Sequence, residues 1–324
     1  WPQTYRLFTI AHNYIVNLYQ QSSECLSLIS ELVLAIPNQS VRYSQFALDV
    51  MSHLSSLTWL NVDQTLKRHW LAVLVQTESS LHNHPRWPVL VTNTLTNSLV
   101  ELDCEAQISY GIALRQLAQW KKAKQIFRDA IKRSGQVGDF RQQARARIEL
   151  SVVLRYYGQY EDATANLQQS TQIAFRYEDN ALVVLALLEG AQLAVDQANG
   201  KQALDSLQKI PKNQQWSMRY LLLISEAYFL TGNFAAFQEI VRQASIKTQN
   251  DRLARGRFND LVGRMHLALG NYNKAHHRLS VAVSCFDIAE DPFALARCLS
   301  NLGATLLCQG KHKEAENQLM RAHH

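Results

Sequence analysis

Gly270-Asn271-Tyr272-Asn273-Lys274-Ala275 and Gly310-Lys311-His312-Lys313-Glu314-Ala315 are two copies of one phrase, 40 residues apart. Each lies between two runs with apolar residues at helical spacing and closes on an alanine, the form of a tight turn joining antiparallel helices. Four related phrases lie upstream: Gln119-Trp120-Lys121-Lys122-Ala123, Gln159-Tyr160-Glu161-Asp162-Ala163, Asn199-Gly200-Lys201-Gln202-Ala203 and Asn233-Phe234-Ala235-Ala236-Phe237. Their closing residues fall at 123, 163, 203, 237, 275 and 315, with spacings of 40, 40, 34, 38 and 40. A recurring period of this length marks an array of stacked supersecondary units. The reading is therefore six helical hairpins, at about 104–137, 138–178, 179–212, 216–248, 251–288 and 291–324.

Two antiparallel helices approach closely only over small side chains, because anything beyond alanine overpacks the crossing by roughly 1–3 kcal/mol. Gly111, Trp120, Ala123, Phe127 and Ala130 supply a small, aromatic, small, large, small sequence in the first hairpin. Gly263, Tyr272, Ala275, Leu279 and Ala282 supply it in the fifth, and Gly303, Ala315, Leu319 and Ala322 follow it in the sixth. On these residues the chain resembles the tetratricopeptide-repeat family. The resemblance implies an all-α fold, an α-solenoid of hairpins wound as a right-handed superhelix, whose first helices line a concave groove. The long repeats are similar to the arrays that bacterial signalling ATPases of the STAND class carry at their C-terminal ends as sensors. That similarity implies a larger parent chain, with other domains as partners of the array.

The departures carry expectations of their own. Phe237 stands where the other hairpins have alanine, so the fourth must open, shift register or rotate. Ser151 and Ser225 replace the first-helix glycine, Gly200 replaces the turn aromatic, and Pro211 ends the third hairpin early, predicting irregularity from about 200 to 240. Asp139, Asp179, Asp251 and Asp291 each stand 24 residues before a closing alanine, where a carboxylate caps the first helix for roughly 0.5–2 kcal/mol. Residues 1–102 read as a degenerate helical segment continuous with the array, with helices at about 4–20, 22–36, 40–57, 63–81 and 86–102.

Composition bounds the function. With 47% hydrophobic and 19% charged residues in 324, and only 12 glycines and 6 prolines, the chain suits long helices around a continuous core. Cys25, Cys104, Cys285, Cys298 and Cys308 form no Cys-x-x-Cys pair, which points to a reducing cytoplasm rather than to disulfides or zinc. No apolar run approaches a membrane span and no signal peptide opens the chain, so no membrane partner is expected. The opening Trp1-Pro2 suggests a piece of a longer protein, and His323-His324 suggests the start of a purification tag.

The sequence contains no Gly-x-x-x-x-Gly-Lys-Ser/Thr, His-Glu-x-x-His, Gly-x-Ser-x-Gly or dinucleotide-binding glycine turn, so neither catalysis nor a cofactor is expected. His82-x-His84 lies beside Pro85 in a loop, and the adjacent His276 and His277 point in different directions, so no metal site is expected. Ten Lys and Arg against three acids lie between Lys121 and Arg155. That stretch reads as the solvated outer face of a second helix, with an acidic partner or nucleic acid as alternatives. Aromatics do not interleave with its charges, which argues against single-strand recognition.

Arg145, Arg219, Arg257 and Arg297 each stand 18 residues before a closing position. In the superhelix that the resemblance implies, they and residues three, seven, ten and eleven further on face the groove. The candidate ligand contacts are therefore Arg145, Arg155, Tyr156, Arg219, Glu226, Phe229, Arg257, Asp260, Arg264 and Arg297, with Ile148, Val152 and Leu222 as apolar floor. Guanidinium forks beside apolar floor suit an acidic, partly hydrophobic peptide or protein. The same arginines could instead bridge neighbouring repeats. Three functional readings follow: a non-catalytic protein- or peptide-recognition sensor, a constitutive scaffold, or a regulator that contacts nucleic acid through its basic face.

Overall fold

The computed structural model describes residues 87–95, 103–215, 217–247, 251–289 and 292–323. The four helices expected before residue 82, His82, His84, Cys25, the cap at Asp291 and His324 lie outside them. Among the described residues the chain is all α-helix, with no strand and one short 3-10 turn. In order these are α1 (Trp87–Leu95), α2 (Cys104–Gln116), α3 (Trp120–Val137), α4 (Phe140–Tyr156), α5 (Tyr160–Arg176), α6 (Asn180–Asp196) and α7 (Gly200–Gln208). The 3-10 turn at Lys212–Gln214 follows, then α8 (Met218–Leu230), α9 (Phe234–Lys247), α10 (Arg252–Ala268), α11 (Tyr272–Ala289), α12 (Pro292–Cys308) and α13 (His312–His323).

The even-numbered helices from α2 onward are the first helices of hairpins, and those from α2 to α10 each begin on a side-chain cap. Asp103, Asp139, Asp179 and Asp251 accept a hydrogen bond at 2.7–3.1 Å from the backbone N–H three residues on, satisfying a donor the helix cannot. Ser217 does the same for α8 at 3.2 Å, so the fourth hairpin keeps its cap without an aspartate. Helices stop equally regularly. Ala118, Gly138, Glu178, Ala198, Gly232, Gly270 and Gly310 all take left-handed backbone conformations. The next amide then donates to the carbonyl five residues back at 2.8–3.0 Å, as in Gln119 to Leu114 and Asn271 to His266.

Close crossings form where the small residues fall. A Cβ on Gly111 would lie 2.5 Å from the Phe127 ring, and one on Gly263 would lie 2.6 Å from Leu279 Cγ. Ala123, Ala163, Ala203, Ala275 and Ala315 are fully buried at the turns. Ser151 and Ser225 fit the glycine position by turning their hydroxyls back onto the carbonyls of Ile148 and Leu221.

The chain divides by its contacts into two compact units, Trp1–Gly158 and Gln159–His324. In the first, Trp87 and Val91 of α1 are buried, α1 packs on α2, and α4 packs on both α2 and α3. In the second, each of α8, α10 and α12 touches its own hairpin partner and the preceding first helix. This first-helix-to-first-helix packing is the α-solenoid arrangement, and it sets side chains of successive repeats in rows.

The irregular stretch resolves into two devices. Helix α7 stops after nine residues, Ile210 turns into the core of α6–α8, and Pro211 opens the 3-10 turn. Gly200 is required because the end of α8 comes close: a Cβ there would meet Leu230 Cβ at 2.8 Å and Thr231 Cγ2 at 2.9 Å. Phe237 is 1% exposed and packs with Leu261, Val262 and Met265 of α10. The bulky closing residue is thus absorbed by the next hairpin.

Candidate functional site

Ion pairs join the first helices of successive hairpins. In the first unit Arg145 of α4 reaches Glu105 of α2 at 3.9 Å, and Arg115 of α2 reaches Glu149 of α4 at 3.1 Å. In the second, Arg219 of α8 holds Glu189 of α6 at 2.5 Å, and Arg264 of α10 holds Glu226 of α8 at 2.5 Å. Arg297 of α12 holds Asp260 of α10 at 3.0 Å. The arginine side chains of this second-unit row are 37–57% exposed and those of their acids only 1–19%. The row therefore presents partly exposed cations over buried or half-buried carboxylates.

Asp260 is its most enclosed member. One oxygen faces Arg297 and, at 3.4 Å, Arg264 Nε; the other accepts from Asn301 Nδ2 at 3.2 Å. Burial works against the Arg264 charge, but Glu226 and Asp260 outweigh it and raise the guanidinium pKa. Burial and the Asp260 charge push the neighbouring Cys298 thiol up, which keeps it a neutral packing group bonded to the Leu279 carbonyl at 3.5 Å. Asp260 was expected to face a ligand; it is out of reach of solvent and already surrounded by arginine.

Arg257 differs from the rest. It is exposed, one turn before Asp260 on α10, and among the described residues it forms no ion pair. Arg219 and Arg297 occupy the same place in the neighbouring first helices, and both are braced.

Other expected contacts are redistributed. Ile148 and Val152 are buried, not groove floor, because α2 and α3 enclose that side of α4. Phe229 is half-buried and stacks with Phe234 and Phe237 at ring distances of 6.2 and 6.3 Å, so it belongs to the α8–α9 core. Arg155 and Tyr156 lie at the far end of α4 from Arg145. There the Tyr156 ring meets Trp120 of α3 at 4.5 Å, Arg155 lies 4.9 Å over the same ring, and Lys124 lies 5.4 Å over Tyr157. The basic first turn of α3 is thus joined by aromatics from α4, which its own sequence does not reveal.

Solved structures with the same arrangement identify the fold. A Rap protein complexed with competence and sporulation factor matches with a TM-score of 0.66 at 11% identity, over 98% of this chain and 98% of that one. A STAND protein with a tetratricopeptide-repeat sensor from Pyrococcus horikoshii matches with a TM-score of 0.58 at 13% identity, over 92% of this chain and 46% of that one. A tetratricopeptide-repeat protein from Parabacteroides merdae matches at 0.55 and 11% identity, over 85% and 98%. The family model for the tetratricopeptide repeat matches residues 295–324. The chain carries a tetratricopeptide repeat at residues 295–324 and shares the fold of tetratricopeptide-repeat structures. No curated protein sequence matches it. Among the described residues no three metal-ligating side chains converge, and no helix is long and apolar enough to cross a membrane.

Proposed function

We propose that the chain is a non-catalytic recognition module that takes an acidic, partly apolar protein or peptide segment along the first-helix row of its second unit. The observation that carries this reading is the contrast within the row. Arg219 and Arg297 are committed to buried acids and Arg264 to the half-buried Glu226, whereas Arg257, at the same repeat position as Arg219 and Arg297, is exposed and without an ion pair among the described residues. An uncompensated arginine among half-exposed ones attracts a carboxylate and forks onto it bidentately. Similarity to a repeat sensor within a STAND protein and to a Rap protein in complex with a factor supports a sensing role in a larger signalling protein. A ligand would act there only as far as it bound one state of the parent better than another.

The test is a peptide selection on the intact chain followed by titration of the selected sequence. Acid-rich binders are expected, with affinity falling at least tenfold in Arg257→Glu and with rising salt. Selection of neutral or basic sequences, or unchanged affinity in a folded Arg257→Glu protein, would sink the proposal.

A further inference from the structure

The first turn of α3 breaks a local rule. The positive end of a helix dipole is stabilised by acids and destabilised by lysines. Both α3 and α5 start on a glutamine, Gln119 and Gln159, that makes no side-chain cap. Helix α5 compensates with Glu161 and Asp162 in its first turn, whereas α3 places Lys121 and Lys122 at the same two positions. Both lysines are exposed, and neither pairs with an acid among the described residues.

They adjoin exposed aromatic surface. Tyr156 is 61% exposed and Tyr157 is 49% exposed, and both sit against the α3 turn through Trp120 and Lys124. The Tyr156 ring already packs on an indole at 4.5 Å and carries a guanidinium 4.9 Å over it, so base stacking there would compete with contacts already made. Cations with phenol donors and ring edges complement carboxylates interspersed with apolar side chains.

We infer that Lys121, Lys122, Lys124, Arg155, Tyr156 and Tyr157 form a docking surface for an acidic, partly apolar protein segment. It lies wholly in the first unit and does not depend on the first-helix row of the second. Lysines that weaken the helix start are kept because their charge serves the partner.

The experiment uses the full chain and a labelled peptide of alternating Glu and Leu that carries a photo-crosslinker, with adducts mapped by mass spectrometry. Adducts are expected within 120–124 and 155–157. In the Lys121→Glu/Lys122→Asp variant, which copies the first turn of α5, they should fall at least tenfold while the melting midpoint holds or rises by about 1–4 °C. Arg257→Glu should leave these adducts in place, so failure of the first-helix-row reading shows separately. The inference is overturned if no adduct forms there, if the double variant crosslinks as well as the parent, or if its midpoint falls. It is equally overturned if single-stranded oligothymidylate of equal charge displaces the peptide more effectively than unlabelled peptide does.

Discussion

The junction between α10 and α12 and the exposed start of α10 hold arginines at one repeat position, yet the two regions work differently. At the junction, Arg297 closes on the buried Asp260 together with Arg264 and Asn301. Arg257, one turn before Asp260 on α10, is exposed and forms no ion pair among the described residues. The difference lies in whether an acid pairs with the arginine. A carboxylate inside the helix packing ties its arginine to the array; an arginine that pairs with none among the described residues keeps its guanidinium for something outside. Equal spacing in sequence therefore does not mean equal role.

The sharpest way to break this contrast is to strip the braces. Arg264→Met with Arg297→Met leaves Asp260 buried and without a cation, and should lower unfolding free energy by about 3–5 kcal/mol in denaturant titration, against less than about 0.5 kcal/mol for Arg257→Met. A double variant as stable as the parent would mean that Asp260 is not tied by these arginines.

A smaller effect tests whether the close crossing that sets the rows in register matters. Gly263→Ala would bring a methyl group within 2.6 Å of Leu279 Cγ and should cost about 1–3 kcal/mol, with the midpoint of a thermal melt as readout. The same change at Gly190, whose Cβ would come no closer than 4.0 Å to Ser206, should be neutral or mildly stabilising.

Smallest is the effect at the turns. Ala198 holds a left-handed conformation at φ 55°, and Ala198→Gly should raise stability by up to about 1 kcal/mol in the same melt. A loss there would mean that the turn is not strained.

The hairpins were legible because their determinants are local: turn phrases, small residues at crossings, and the aspartates at 139, 179 and 251, each of which accepts its capping bond. The early end of α7 at Pro211 was legible for the same reason. The cap at Asp103 was overlooked because it falls outside the 24-residue interval, although an aspartate before an apolar helix was signal enough. The place of Phe237 was not legible, because its room is made by Leu261, Val262 and Met265 of the next hairpin.

For the candidate site the spacing found the arginines but not their partners. Whether an arginine braces or waits depends on an acid some 30 to 40 residues away in another first helix, as with Glu226 and Arg264. The aromatic end of the first unit was hidden likewise. Trp120 and Tyr156 lie in different helices, and only the packing of α3 on α4 stacks them.

The most direct measurement of the central claim is a double-mutant cycle by calorimetry, between Arg257 and each acidic residue of a peptide selected on the intact chain. One pair should show a coupling of about 0.5–3 kcal/mol, while Arg297 couples to none of them. Coupling to Arg297 instead, or no coupling to Arg257 at all, would contradict the division between braced and free positions of the row.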